Sequence, residues 1–298
     1  MDARVRALLD KNIYLGTSSW KYPGWKGIVY RGDYPSEKQF NETCLKEYSE
    51  HYPTVGVDHT YYAWPGQAGI QKYMSLTPDF FRFGFKVTEK VTVLKYPKLP
   101  RYGKDAGTIN EQFLDHGLFR EKFLEPLSGC KQKLGPILFE FSQFHTGTIV
   151  SGTEFVQRLD SFFSALGVSN DYVFAVEIRN ANWLKPAYFQ MLAKHRIAHV
   201  HNSWTRMPSI AEQLEVSRDF DLPTAVSRIL LSPGTQYQQA VEAFSPYSRV
   251  LSLQVQVRND AALLIKRAIH MGVPAYVFVN NRCEGCAPQT IQGILNFV

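Results

Sequence analysis

Short apolar runs alternate with longer amphipathic stretches along almost the whole chain. Runs of four to eight mainly apolar residues are typical of buried strands, whereas apolar residues that recur at helical spacing are typical of helices covering a sheet. The predicted strands are 13–17, 54–61, 80–87, 136–141, 172–177, 198–202, 227–231 and 275–279. Because strands and helices alternate rather than forming separate blocks, the pattern predicts a parallel sheet.

The helices that this pattern predicts have recognisable ends, such as Ser36 as an N-cap and Gly167 and Gly272 after final turns. They are 36–50, 67–76, 111–127, 153–166, 186–195, 236–244, 261–271 and 288–297. The connection after the sixth strand is the weakest, because only the short run 209–216 has helical character. Eight strands, each followed by helix-like sequence, predict an α/β fold that is a single (β/α)8 TIM barrel rather than an open doubly wound sheet.

No internal repeat, low-complexity tract or Ser/Gly-rich linker divides the chain, so we expect one domain over residues 1–298. The longest irregular segment, 88–108, is rich in Lys, Pro and Tyr. Loops of that length in compact domains are usually functional, and we expect this one to lie over the mouth of the barrel.

Composition narrows the class of protein further. No apolar run approaches the roughly 20 residues that span a bilayer, and the first residues lack the apolar region of a signal peptide. We therefore expect a cytoplasmic protein with no membrane partner. The net charge of +6 permits an anionic ligand, but there is no dense Lys/Arg block of the kind that marks a nucleic-acid-binding arm.

Polar and aromatic residues cluster at the predicted strand ends. In a TIM barrel the carboxyl ends of all strands meet at one face, which is where the active site lies. Each buried polar group without a partner costs about 1–3 kcal/mol, so such a concentration favours a ligand site over simple loop cross-linking, which is the alternative. The candidate ligand-binding residues are Ser18, Trp20, Trp25, His59, Tyr61, Arg179, His201, Asn202, Trp204, Asn280 and Asn281.

Three residues are candidates for catalysis. Glu140 and Glu177 lie at the ends of adjacent predicted strands, near Lys86. A carboxylate pair beside a lysine suits general acid/base chemistry because the neighbours push the pKa values apart. A buried salt-bridge network is an equally good interpretation of the same residues. Arg179, two residues after Glu177, should point to the same side and either neutralise that carboxylate or clamp an anionic substrate.

Two other groups have weaker chemical signatures. His199 and His201 alternate along the sixth strand and, with His59, Asp58 or Glu177, form a possible divalent-metal site, although hydrogen-bonded histidines are the commoner outcome and we assign no metal ligand. Cys283-Glu284-Gly285-Cys286 is a lone CxxC motif. A structural zinc usually needs a second pair, so an ordinary loop is favoured over a redox or metal site.

Several segments taken together resemble the YecE-like family, known as domain of unknown function number seventy-two. The segments are 16–20 with Tyr22 and Trp25, 54–62, 83–86, 135–139, 177–179 with Trp183, and 280–281 with Gly285 and Ala287. This resemblance implies a TIM barrel with a polar pocket at the strand ends and no established reaction. The chain departs from the commoner pattern of the family at Gly56, Asp58, His59, Glu140 and Arg282, which redistributes carboxylates within that pocket.

These observations lead to three hypotheses of function. The first is an enzyme that acts on a small polar or anionic molecule, such as a sugar or a phosphorylated compound, with Glu177 and Lys86 transferring protons. The second is a nucleic-acid or nucleotide-binding protein without turnover, suggested by the basic and aromatic segments 21–26 and 86–104. The third is a metal-dependent hydrolase or isomerase. The sequence indicates no particular cofactor and no oligomeric state.

Overall fold

Eight parallel strands close into a barrel in the computed structural model, which describes residues 1–32, 34–144, 148–149, 151–167, 171–232 and 234–298. The strands neighbour one another in chain order, and the first pairs with the last from Ile13 beside Ala275 to Thr17 beside Val279. This confirms the predicted (β/α)8 TIM barrel. The strands are β1 Ile13–Thr17, β2 Thr54–Val57, β3 Arg82–Lys86, β4 Leu134–Phe141, β5 Phe174–Ile178, β6 Ala198–Ser203, β7 Ala225–Ile229 and β8 Ala275–Val279.

Helices cover the outside of the barrel. They are α1 Ala3–Leu9, α2 Glu37–His51, α3 Gln67–Ser75, α4 Glu89–Thr92, α5 His116–Phe119, α6 Glu125–Leu127, α7 Gly152–Leu166, α8 Pro186–Lys194, α9 Ile210–Val216, α10 Tyr237–Phe244, α11 Val255–Met271 and α12 Ala287–Leu295. A π-helical turn, Arg120–Leu124, joins α5 to α6. Despite its shortness, α9 is well defined, because Ser209 and Glu212 form a reciprocal capping box at its start.

Several elements differ from the sequence-based prediction at their ends. The second strand stops at Val57, because residues Asp58–Tyr61 turn into a 3-10 helix whose Thr60 hydroxyl donates to the Val57 carbonyl. The seventh strand begins two residues earlier than predicted, at Ala225. The predicted helix 111–127 starts only at His116, with Asp115 as its N-cap.

Aromatic side chains from β1 and β8 fill the lower part of the barrel. Tyr14 and Tyr276 stack with ring centroids 4.7 Å apart, and Phe278 continues this column. On the opposing strand, a methyl group at Gly84 would lie 2.5 Å from the Phe278 ring. The glycine therefore makes room for the bulky residue, and the barrel is packed rather than hollow.

The direction of each strand residue follows from this interior packing. Ala198 and Val200 belong to the interior cluster with Tyr276 and Phe278. Since side chains alternate along a strand, Asn202 faces into the barrel while His199 and His201 face the helices. By the same alternation the last inward positions of the strands are mostly polar, and they form a layer at the carboxyl end. No helix in the described part of the chain is long and apolar enough to cross a membrane.

Candidate active site

An ion-pair network occupies the carboxyl end of the barrel, and Arg228 from β7 lies at its centre. The Nη1 atom of Arg228 lies 2.5 Å from Glu140 Oε2 and 2.5 Å from Glu177 Oε2. Its Nη2 atom lies 3.4 Å from Oδ1 of Asp58. The side chains of Arg228, Glu140 and Glu177 are at most 5% exposed. One guanidinium thus joins carboxylates from three different strand ends.

Two further cations lie over the same carboxylates. Lys86 Nζ is 2.8 Å from Glu140 Oε2, and Arg179 Nη2 is 3.0 Å from Glu140 Oε1. Arg179 also donates from Nε and Nη2 to Glu177 Oε1, each at 3.3 Å. Every carboxylate oxygen of Glu140 and Glu177 therefore has a cationic partner.

Aromatic rings flank these two cations. The Lys86 Nζ atom lies 3.9 Å from the ring centroid of Tyr61, and the Arg179 guanidinium carbon lies 3.7 Å from that of Trp204. The Lys86 and Arg179 side chains keep 11% and 12% of their surface exposed. Cation–π contact holds both side chains in place while a part of each remains accessible from the mouth.

Cations outnumber carboxylates in this ion-pair network. The buried network contains three cations, Lys86, Arg179 and Arg228, but only two buried carboxylates, Glu140 and Glu177. The third carboxylate, Asp58, has a side chain that is 33% exposed. The five side chains together therefore have an excess of one positive charge, carried on the side of the mouth by Lys86 and Arg179, and the partly exposed Asp58 offsets it only in part.

The network has a strong effect on ionisation. Burial alone would raise the pKa of Glu140, but Arg179, Lys86 and Arg228 outweigh it and hold that pKa well below its usual range. Burial likewise opposes the charge on Arg228, but Glu177 and Glu140 raise its pKa well above the ordinary value. Glu140 and Arg228 are therefore both charged at neutral pH.

Two buried polar atoms at the carboxyl ends of strands have no hydrogen-bond partner among the described residues: Ser18 Oγ, just after β1, and Asn202 Oδ1, on β6 next to Arg228 of β7. Asn202 donates from Nδ2 to the Ile178 carbonyl at 3.2 Å, so its side chain is oriented with the oxygen left over. Ser18 follows β1, and its side chain is 2% exposed. Unpaired buried polar atoms are costly, so these positions suit a bound water or a polar ligand group.

Two of the three tryptophans that were predicted to bind ligand, Trp20 and Trp25, are buried in the protein core. Trp25 is fully buried and donates from Nε1 to Asn281 Oδ1 at 3.3 Å. Trp20 is 3% exposed and packs edge-on against Tyr73. Both rings belong to the apolar cluster between the barrel and its outer segments, so the structure does not place them as open walls of the mouth.

The other predicted ligand-binding residues occupy several different places. Asn280 is buried, follows the inward-facing Phe278, and accepts from the Arg282 amide at 3.0 Å. Asn281 accepts from the Ala287 amide at 2.7 Å and so caps α12. His59 is exposed on the turn after β2.

The structure does not bring His201 to the mouth. Its Nδ1 lies 3.2 Å from the Val226 carbonyl oxygen and its Nε2 lies 3.2 Å from Ser217 Oγ, on the helix-facing side of β6. Burial lowers its pKa to about 4, so the ring is neutral at physiological pH. His199 faces the same side, with Nδ1 lying 3.1 Å from the hydroxyl of Tyr188. The described residues contain no group of three His, Cys, Asp or Glu side chains that would hold a metal ion.

The CxxC segment belongs to the framework around the site. Cys283 and Cys286 are fully buried free thiols, and burial raises the pKa of both. Between them, Glu284 accepts from Arg258 Nη2 at 2.7 Å and from the Gln254 amide at 2.6 Å. This buried pair attaches the turn after β8 to the start of α11, which favours the interpretation of the motif as a structural loop.

Segment 88–108 is more regular than the sequence suggested, since it contains α4 and a 3-10 helix, Pro100–Asp105. Arg101 pairs with Glu89 at 2.9 Å and lies over the ring of Tyr62, with its guanidinium carbon 4.9 Å from the centroid. The segment is thereby attached to the turn that carries the mouth residue Tyr61.

Sequence reasoning missed Arg228, which has three ion pairs in the network, as many as the predicted residue Glu140. The predicted seventh strand, 227–231, includes Arg228, but no residue of that strand is among the candidate site residues. The available signal was a single charged residue, Arg228, in a run that is apolar apart from Ser227, because a charge inside a buried strand needs partners.

Comparison with known proteins identifies the family of this fold. The family model described as "Protein of unknown function DUF72" matches residues 14–298. UPF0759 protein YunF of Bacillus subtilis is 25% identical over 178 residues, which are 60% of this chain and 54% of that protein. The match thus spans about half the length of that relative.

Two crystal structures of DUF72 family proteins share the architecture. One from Enterococcus faecalis V583 superimposes with a TM-score of 0.61 at 18% identity, covering 96% of each chain. One from Thermotoga maritima MSB8 does so with a TM-score of 0.60 at 20% identity, covering 96% of this chain and 97% of the other. At such identities the likeness shows the fold alone.

Proposed function

We propose a function from the site itself, on the premise that this chain belongs to the DUF72 family, whose description assigns no activity. We propose that the chain is an enzyme that binds a small polar, anionic molecule at the carboxyl end of its barrel and acts on it by proton transfer. The observation that carries the proposal is the pair of partly exposed cations, Lys86 and Arg179, which with Arg228 outnumber the two buried carboxylates Glu140 and Glu177.

Both cations have donors left for a ligand. An ammonium group has three N–H bonds, and Lys86 has one carboxylate partner, Glu140. Arg179 uses Nε and Nη2 for its carboxylates, while Nη1 has no partner among the described residues. These N–H groups provide donors for an anionic group, and the unpaired oxygens of Ser18 and Asn202 at the same end of the barrel can bind its hydroxyl or amide neighbours.

The three candidate catalytic residues receive different roles in this proposal. Lys86 reaches the mouth and transfers the proton. Glu140, whose pKa is held well below its usual range, stays ionised and holds Lys86 Nζ in place. Glu177 is fully buried, and both its oxygens contact arginines, so it orients Arg179 and Arg228. A proton-transfer role for Glu177 itself is the alternative, which its amide variant tests.

Metabolite capture tests the binding part of the proposal. The purified wild type is expected to enrich an anionic small molecule from a cell extract, detected by mass spectrometry, and Arg179→Gln is expected to lose it. Arg218→Gln is the matched control, because Arg218 is an exposed arginine beyond the end of α9, paired with Glu215. Equal enrichment by Arg179→Gln and wild type, or none by either, would refute the anion site.

Two variants then separate binding from chemistry. Lys86→Arg keeps the positive charge but cannot release a proton at neutral pH, so it should bind the captured molecule and leave it unchanged. Glu177→Gln should weaken binding through Arg179 and retain turnover of what it binds. Undiminished turnover by Lys86→Arg contradicts the role of Lys86, and a complete loss with normal binding in Glu177→Gln makes Glu177 the proton-transfer residue.

A second candidate function, nucleic-acid binding without turnover, is supported by the surface beside the mouth. Tyr62 is 61% exposed with Arg101 over its ring, and the segment 88–108 that carries Arg101 also contains Lys95, Lys98 and Lys104. Exposed rings in basic surroundings are what single strands stack upon. Titration of a fluorescent single-stranded oligonucleotide at low and high salt tests this, with Tyr62→Ser as the comparison. Absence of binding at low ionic strength rules it out.

A further inference from the structure

We infer that the ligand of the mouth is a monoanion and that Asp58 sets this limit, so that dianions such as sulfate or a phosphate monoester are disfavoured. The inference rests on the proposed anion site and names its ligand class and a specificity-determining residue. It follows from the number of charged side chains at the mouth and from how deeply each one is buried.

The charge count begins with the buried groups. Lys86, Arg179 and Arg228 contribute three positive charges, and Glu140 and Glu177 contribute two negative charges. The buried network thus has one positive charge in excess. A ligand with a single negative charge matches this excess, and a second negative charge on the ligand would have no buried cation left to balance it.

Asp58 is the carboxylate next to Arg228 that offsets this excess. Its Oδ1 lies 3.4 Å from Arg228 Nη2, a longer contact than the 2.5 Å that Arg228 Nη1 makes with Glu177, and a third of its side chain is exposed. Its charge is therefore partly screened by water but still acts on anything that enters the mouth. The carboxylate of Glu89, near Tyr61, is already paired with Arg101 at 2.9 Å and bonded to Tyr102 at 2.8 Å.

The repulsion from Asp58 grows with the charge of the ligand. In Coulomb's law the energy is proportional to the product of the charges, so Asp58 opposes a dianion twice as strongly, in free energy, as a monoanion at the same position. Because affinity depends exponentially on free energy, doubling the repulsion squares the factor by which it lowers the affinity. A neutral side chain at this position should accordingly relax the selection against dianions more than it improves the binding of monoanions.

The test uses formate as the monoanion and sulfate as the dianion, with calorimetric titration of the full chain at constant ionic strength. The wild type should bind formate more tightly than sulfate. In Asp58→Asn, a fivefold gain for formate should accompany a gain for sulfate of about 25-fold, the square of the first factor. Because each gain compares two variants with the same probe, the different sizes of the probes cancel.

Asp79→Asn serves as the matched control, because Asp79 is fully exposed and precedes β3 at the opposite end of the barrel. It should change neither affinity. Equal gains for both probes in Asp58→Asn, or tighter binding of sulfate than formate by the wild type, would overturn the inference while leaving the anion site intact, provided that Arg179→Gln abolishes binding. If neither probe binds to the wild type or to Asp58→Asn, the inference and the proposed function both fail.

Discussion

Arg228 and Glu177 form an ion pair inside the barrel, with Nη1 and Oε2 2.5 Å apart and neither side chain more than 3% exposed. The two residues lie on strands that are not neighbours, since β6 separates β5 from β7. The pair therefore spans the interior of the barrel and ties together strand ends that no backbone ladder connects.

Removal of Arg228 should be strongly destabilising. Arg228→Met deprives Glu140 and Glu177 of a shared partner while leaving both buried, and breaking a buried pair in this way costs about 3–5 kcal/mol. Urea unfolding measures this cost. Addition of Glu177→Gln to Arg228→Met should recover part of it, because one uncompensated carboxylate disappears.

The control for this prediction is Arg249→Met, a change at an exposed arginine. Surface changes of this kind usually alter the unfolding free energy by less than about 0.5 kcal/mol. A similar small effect in Arg228→Met would contradict the central role of Arg228 in the network.

Gly84→Ala tests the packing of the lower barrel. The added methyl would lie 2.5 Å from the Phe278 ring, so the side chain of Phe278 must move, and overpacking of this kind costs about 1–3 kcal/mol. Gly69→Ala in α3 is the matched control, because its methyl meets no atom within 4 Å and alanine favours a helix by about 0.5–1 kcal/mol. Thermal unfolding should shift in opposite directions for the two variants, and a stabilised Gly84→Ala would refute the packing described for β3 and β8.

His201 should make stability depend on pH. Its pKa falls from 6.5 to about 4 on folding, so the unfolded chain binds a proton between these values that the folded chain does not. The stabilisation is full above pH 6.5 and is lost as the pH falls toward 4, at up to about 1.4 kcal/mol per pH unit. In urea unfolding between pH 7 and pH 5, His201→Gln should show a smaller slope than wild type. The exposed His270 is the comparison, and an equal reduction of the slope in His270→Gln would contradict this assignment.

The thiols of Cys283 and Cys286 should be unreactive in the folded chain. Both are fully buried, and burial raises the pKa of each, so little reactive thiolate forms at pH 8. Labelling with iodoacetamide and peptide mass spectrometry should show modification of these two residues only after denaturation. The labelling is done in the variant Cys130→Ser, which lacks the half-buried thiol of Cys130. Rapid modification of Cys283 or Cys286 in the native chain would contradict this prediction and favour a redox role for the motif.

The sequence predicted much of the barrel, and the first and last strands show why. The predicted strands 13–17 and 275–279 coincide with β1 and β8, because five-residue apolar runs bounded by polar turns have few other stable conformations. The polar layer was also foreseeable. Glu140 and Glu177 were predicted beside Lys86, since parallel strands bring their carboxyl ends to one edge of a sheet.

The sequence did not predict whether each strand side chain points into the barrel or toward the helices. A barrel strand is buried on both sides, so its hydrophobicity does not distinguish the interior from the helix-covered face. His201 and Asn202 were both predicted to bind ligand, yet adjacent strand residues point in opposite directions, and the structure turns Asn202 inward and His201 toward Ser217.

The sequence by itself determined the eight-strand pattern and the concentration of charged and polar groups at the strand ends, because both depend on local periodicity and turn chemistry. Only the tertiary structure decided which charges meet. Arg228 pairs with Glu140, 88 residues earlier, and with Asp58, 170 residues earlier. Such pairings are set by barrel closure and side-chain direction, since electrostatic attraction depends on distance in space and not on separation along the chain.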